Sequence, residues 1–108
     1  MDIQLKRGLI EICVLSLLSK SDSYGYALIR DVSECVEISE STLYPILKRL
    51  ESANMLSVYT VEYNGRLRKY YTITDTGRTR LSEFPCEWQE MTRIYSFINE
   101  NSMEVQNG

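Results

Sequence analysis

Histidine is absent from this chain, proline occurs twice, and the three cysteines stand far apart at positions 13, 35 and 86. Without histidine the usual general base near neutral pH and the commonest neutral metal ligand are both missing. No glycine-rich phosphate loop and no nucleophile motif occurs. The residues therefore predict neither an enzyme nor a metal or cofactor site. Cysteines that are odd in number and widely separated have no metal-ligand spacing and suit a reducing, cytoplasmic setting. Long apolar runs are lacking too. The stretch "LKRGLIEICVLSLLS" imitates a secretion signal, but Glu11 interrupts it and "SKSDS" offers no cleavage site. It is also too short to span a bilayer, so it reads as a buried helix, with no membrane contact expected.

What is present is the make-up of one small globular domain: 108 residues, 44% hydrophobic and 25% charged. Such a chain buries roughly 65% of its unfolded surface. The net charge of −3 is unevenly placed. Residues 1–40 hold four basic and seven acidic side chains, residues 41–80 seven and three, and residues 81–108 one and five. A basic middle between acidic flanks suggests an anionic partner for the middle alone.

From Lys6 to Ser19 apolar residues fall on nearly every side, which requires cover all round. A domain this small covers one side; a second copy of the chain is the simplest cover for the other. Asp22 or Ser23 can cap a second helix through "YGYALIRDV", and "SECVEI" follows as a connection with room for one brief strand. A third helix, "SESTLYPILKRLE", turns Leu43, Ile46, Leu47 and Leu50 inward and ends near Ala53 and Asn54. It contains Pro45, which lacks the N–H a helix interior uses. A start at Ser41 or Thr42 would leave Pro45 in or just past the first turn. A start at Ser39 would strip the Ser41 carbonyl of its helical donor.

Residues 55–74 predict a β-hairpin turning at Asn64-Gly65, the pair that suits a type I′ turn. A two-residue turn places Tyr63 opposite Arg66, Val61 opposite Arg68, Tyr59 opposite Tyr70, Val58 opposite Tyr71 and Leu56 opposite Ile73. One face is then apolar (Leu56, Val58, Tyr71, Ile73). The other is aromatic and basic (Tyr59, Val61, Tyr63, Arg66, Arg68, Tyr70). Thr74 can cap a last helix, along which Leu81, Phe84, Trp88, Met91, Tyr95 and Ile98 recur at a period of 3.5. That is the seam of a helix packed lengthwise on another. Pro85 predicts a kink or a restart within it, and residues 100–108 a flexible polar tail.

Helix, helix, helix, hairpin, with the third helix and hairpin basic, is a winged helix-turn-helix: mainly α with a small β-hairpin, plus a C-terminal dimerisation helix. The expected division is a DNA-binding domain over 1–74 and a dimerisation helix over 75–99. With the leucines inward, Ser41, Pro45 and Lys48 point outward, flanked by Thr42, Tyr44 and Arg49. Hydroxyls at a helix N-terminus suit phosphates or base edges, and Lys48 and Arg49 supply charge that a duplex rewards by releasing counterions. In a bare helix the same pair could be a solvated edge; beside a basic wing they point to DNA. Asn64, Gly65, Arg66, Arg68 and Lys69 form the wing tip.

Three separated stretches, "YGYALI", "STLYPILKRLE" and "GRLRKYYTITDTG", resemble the PadR-like transcriptional regulators, and the resemblance spans residues 6–98. It implies a homodimeric, usually repressing protein on double-stranded DNA, with the last helix set against the partner's first. By position it brings Ser41, Thr42, Tyr44, Pro45 and Lys48 to the operator and Gly65, Arg66, Arg68 and Lys69 to the wing tip. The two surplus apolar surfaces then become a dimer interface: Leu9, Ile10 and Val14 on the first helix, and Leu81, Phe84, Trp88, Met91, Tyr95 and Ile98 on the last. Some relatives bind planar aromatic molecules there, and Trp88 is the platform such an effector would use; packing across the dimer is its plainer role. Leu67, where many members carry proline, and Pro85 are departures. The rival expectation is a winged-helix dimer for protein or ligand contact that no longer binds DNA.

Overall fold

A computed structural model of the chain describes the backbone of residues 1–107 and the side chains as far as residue 102. Along the described residues the elements run α1 (Ile3–Lys20), β1 (Ser23–Tyr24), α2 (Gly25–Ser33), α3 (Glu40–Ser52), β2 (Leu56–Tyr63), β3 (Arg66–Ile73) and α4 (Asp75–Asn107). α1 starts three residues before its apolar run, because the Asp2 carboxylate accepts from the Gln4 and Leu5 amides at 2.9 and 3.2 Å. That satisfies two of the donors a helix start leaves open.

The hairpin has the register that alternation predicts, from Tyr63 opposite Arg66 down to Leu56 opposite Ile73. Asn64 and Gly65 carry the positive φ of a type I′ turn, 50° and 75°. One strand lies elsewhere than expected. The connection after α2 forms none; instead Ser23 and Tyr24 pair with Tyr71 and Tyr70, making a three-stranded sheet in the order β1-β3-β2. The second helix is consequently not capped by Asp22 or Ser23. Its N-cap position is Tyr24, whose side chain caps nothing, because these residues are extended against β3.

α3 ends on Asn54 with φ 61°. The Met55 amide donates to the Leu50 carbonyl and the Asn54 amide to Glu51, both at 2.9 Å, the paired bonds of a Schellman end. The chain then enters β2, returns along β3 and starts α4 on Thr74, whose hydroxyl oxygen accepts from the Gly77 amide at 3.0 Å.

The core joins α1 (Ile10, Val14, Leu15, Leu18), α2 (Leu28, Val32), α3 (Leu43, Ile46, Leu47, Leu50) and the sheet (Leu56, Tyr71, Ile73). Burying each large apolar side chain contributes about 1.5–3 kcal/mol. This corrects the expected interface: Ile10 is 1% exposed and Val14 0%, both inside the chain's own core. An all-apolar helix has no periodicity to say which side faces inward, and the sheet and α3 claim the side these two occupy. Leu9 stays half-buried, and Ile3 and Leu5 are exposed.

α4 passes through Pro85 without restarting. Lacking an N–H, Pro85 leaves the Leu81 carbonyl without its helical donor. Residues 100–107 continue the helix where a loose tail was expected, helped by the Asn101 side-chain amide donating to the Phe97 carbonyl at 2.8 Å. Gly108 lies outside the described residues. Leu81 packs on the core. Farther along, Trp88, Ile94, Tyr95, Phe97 and Ile98 are all exposed.

Candidate nucleic-acid interface

The outward edge of α3 begins with hydroxyls. Ser39 Oγ lies 2.8 Å from Ser41 Oγ and 3.3 Å from Thr42 Oγ1, and no side chain caps the α3 amides. Helical geometry starts at Glu40, so Pro45 stands in the second turn and the Ser41 carbonyl has no helical donor. Ser41 and Pro45 are both exposed, at the outer edge of the helix. Lys48 is exposed as well. Tyr44 is 44% exposed and leans on Gly25, where a Cβ would stand 2.6 Å from the Tyr44 hydroxyl oxygen. Glycine at 25 is therefore what lets the Tyr44 ring lie where it does.

Arg49, flanking this edge, already has a partner within the chain. Its guanidinium makes a two-pronged ion pair with Glu11 of α1. That hydrogen-bonded partner raises the arginine's already high basicity. Sequence reasoning missed the pair because 38 residues separate the two side chains.

On the wing, Arg66 and Lys69 are exposed, with Arg66 beside the Asn64-Gly65 turn. Alternation sends Arg66 and Arg68 to one face and Leu67 and Lys69 to the other. Lys69 stretches over Tyr71, its ammonium 5.6 Å from the ring centre. Arg68 is half-buried: its guanidinium carbon sits 4.2 Å from the Tyr24 ring centre and 4.3 Å from that of Tyr63. Tyr70 belongs to the same cluster, stacked on Tyr59 at 5.6 Å and edge-on to Tyr24 at 5.5 Å. The Tyr59 hydroxyl donates to Asp22 at 2.7 Å. That bond and one from Thr72 hold the Asp22 carboxyl below the ordinary range, while the Tyr59 hydroxyl is pushed up. Tyr71, by contrast, is 4% exposed and belongs to the core, as the register requires. Tyr24 stands in the "YGYALI" stretch that carries the family resemblance, but nothing local marks it as a partner of the wing.

On α4 the Phe84 and Trp88 rings stack at 6.2 Å, and Trp88, Met91, Thr92 and Tyr95 line an apolar hollow. Among the described residues no group of three or more His, Cys, Asp or Glu side chains could hold a metal ion. None of their helices is long and apolar enough to cross a membrane.

A helix edge of hydroxyls and lysine beside a basic hairpin, both carried on a three-helix core, defines a winged helix-turn-helix protein. The family model for PadR-like transcriptional regulators matches residues 14–83, and the chain belongs to that family. The solved structure of a Streptococcus mutans protein is 47% identical and superposes with a TM-score of 0.73, covering 85% of this chain and 87% of that one. A PadR family transcription regulator of hypervirulent Clostridium difficile is 35% identical at a TM-score of 0.71, covering 79% and 92%. A transcriptional regulator of Mycobacterium tuberculosis is 29% identical over 91 residues, covering 83% of this chain and 85% of its own.

Proposed function

We propose that this transcriptional regulator is a cytoplasmic repressor that binds a palindromic DNA operator as a homodimer. Residues 1–74 would bind DNA and the helix over 75–99 would hold two copies together. The observation that carries the DNA reading is the placement of charge. A chain of net charge −3 exposes Lys48 on α3, whose first turn carries hydroxyls, and Arg66 and Lys69 on the hairpin. The exposed apolar row Trp88, Tyr95 and Ile98 supports the dimer, with Leu9, Phe84 and Met91 at its inner end. The hollow beside Trp88 suits a planar aromatic effector, which would act by changing the angle between the two wings.

Selection from a randomised duplex library, followed by sequencing, tests the reading. It should return an inverted repeat with half-sites about 34 Å, or roughly ten base pairs, apart or at a multiple of that. A library returned without enrichment would favour the rival, a winged-helix dimer for protein or ligand contact.

Arg49 separates two roles on the same helix. Because its guanidinium is committed to Glu11, Arg49→Ala should leave duplex affinity nearly unchanged. It should lower stability by roughly 0.5–1 kcal/mol, the range for a partly exposed pair, read from the thermal midpoint. Lys48→Ala should do the reverse. Equal losses of affinity at both positions would put Arg49 on the DNA.

A further inference from the structure

The segment Ser23–Gly25 precedes the wing by some forty residues in sequence, yet it touches both elements of the candidate interface. Tyr24 pairs with Tyr70 in the sheet, and its ring and that of Tyr63, at the end of β2, both lie against the Arg68 guanidinium, their centres 4.2 and 4.3 Å from its carbon. Gly25, the next residue, is buried and receives the Tyr44 ring of α3, with ring and hydroxyl atoms 2.6–3.0 Å from where a Cβ would be. One dipeptide thus holds the hairpin by a side chain and α3 by the absence of one.

We propose that Tyr24-Gly25 is a registering junction that sets the wing against α3, and that Arg68 is a positioning residue of this junction and not a DNA contact. The proposal rests on the DNA-binding reading for its consequence, and on the clamp geometry alone for its physical content. A guanidinium in contact with two rings gains attraction from each. Half-buried and held by both rings, the Arg68 side chain is less free than exposed Arg66 to follow a phosphate. Lysine, a compact charge without a planar face, cannot bridge two rings in the same way. The charge the wing offers DNA is then carried by Arg66 and Lys69, while Tyr24 and Arg68 limit how far the hairpin swings. Toward the wing tip the sheet is tied down only briefly, since β1 contributes just Ser23 and Tyr24 and the sheet's core residues, Leu56, Tyr71 and Ile73, lie at the opposite end of the hairpin.

The test uses the full chain and two readouts. The first is amide hydrogen exchange of residues 61–68 without DNA. Tyr24→Leu and Arg68→Lys should each speed exchange by about two- to fivefold, the range for one ring contact at an exposed site. Tyr24→Phe, which keeps the ring, and Arg66→Ala, which leaves the clamp intact, should match the unsubstituted protein. The second is the salt dependence of binding to a mixed-sequence DNA duplex. Arg66→Ala should flatten the slope of log K against log salt by about 0.9 for each phosphate the side chain had neutralised. Tyr24→Leu and Arg68→Ala should weaken binding with the slope unchanged. Gly25→Ala should weaken it too, and should have no further effect in a Tyr44→Ala background.

Unchanged exchange in both Tyr24→Leu and Arg68→Lys would overturn the junction. So would a slope that flattens at Arg68→Ala as it does at Arg66→Ala, since that would make Arg68 a phosphate ligand. If the unsubstituted protein fails to bind any duplex, the DNA-binding reading fails, and the exchange arm still decides the clamp.

Discussion

Joint replacement of Lys48, Arg66 and Lys69 by alanine should lower duplex affinity by at least about a hundredfold near physiological salt, because under the proposed function every protomer would give up three charge-assisted hydrogen bonds to phosphate. The dependence on salt should shrink with it, by about 0.9 in slope for each phosphate no longer neutralised. All three side chains are exposed, and none of them forms an ion pair among the described residues, Lys69 having only its contact with the Tyr71 ring. The thermal midpoint should therefore stay close to its starting value, as surface substitutions away from caps and cores cost little. Fluorescence anisotropy over a salt series, alongside a melt, reads both quantities. A triple variant that binds as before would remove α3 and the wing from the interface together.

The second large effect belongs to α4. Trp88, Tyr95 and Ile98 are 56%, 66% and 56% exposed, on a helix of 33 residues whose first part alone is anchored to the core. Tyr95→Asp with Ile98→Asp would place two unpaired carboxylates in each half of a symmetric seam, and burying one such charge without a partner costs about 3–5 kcal/mol. Sedimentation should then show monomer at micromolar concentration, with the winged-helix portion still folded by circular dichroism. Operator binding should fall as well, since two tethered half-sites bind with the benefit of high effective concentration. A double variant that remains dimeric would mean the copies meet elsewhere, or not through α4. The apolar groove lined by Leu9, Ile12, Cys13, Leu17 and Val36 would then need another occupant.

Much of this molecule is written in local patterns. The hairpin register follows from alternation plus Asn64-Gly65, since a two-residue turn and a period of two leave one pairing that buries Leu56, Val58, Tyr71 and Ile73. The inward stripe of α3 and its stop at Asn54, and the Thr74 cap of α4, depend on neighbours within a few residues. The family was legible for the same reason: its marks are short runs in a fixed order.

Three matters were left to the tertiary structure. Which flank of α1 goes inside could not be read from a helix apolar on every side, and packing put Ile10 and Val14 in the core. Three of the five arginines and lysines expected at the interface have partners within the chain that the sequence did not predict, Arg49 with Glu11, Arg68 with Tyr24 and Tyr63, and Lys69 with Tyr71. Pro45 falls one turn deeper than the gentlest placement allows, which leaves the Ser41 carbonyl without its helical donor. The physical reason is one of reach. Backbone propensity, capping and alternation act between residues that are neighbours in sequence. The fate of a long charged side chain is decided by whichever distant group the fold brings within a few ångströms of its tip.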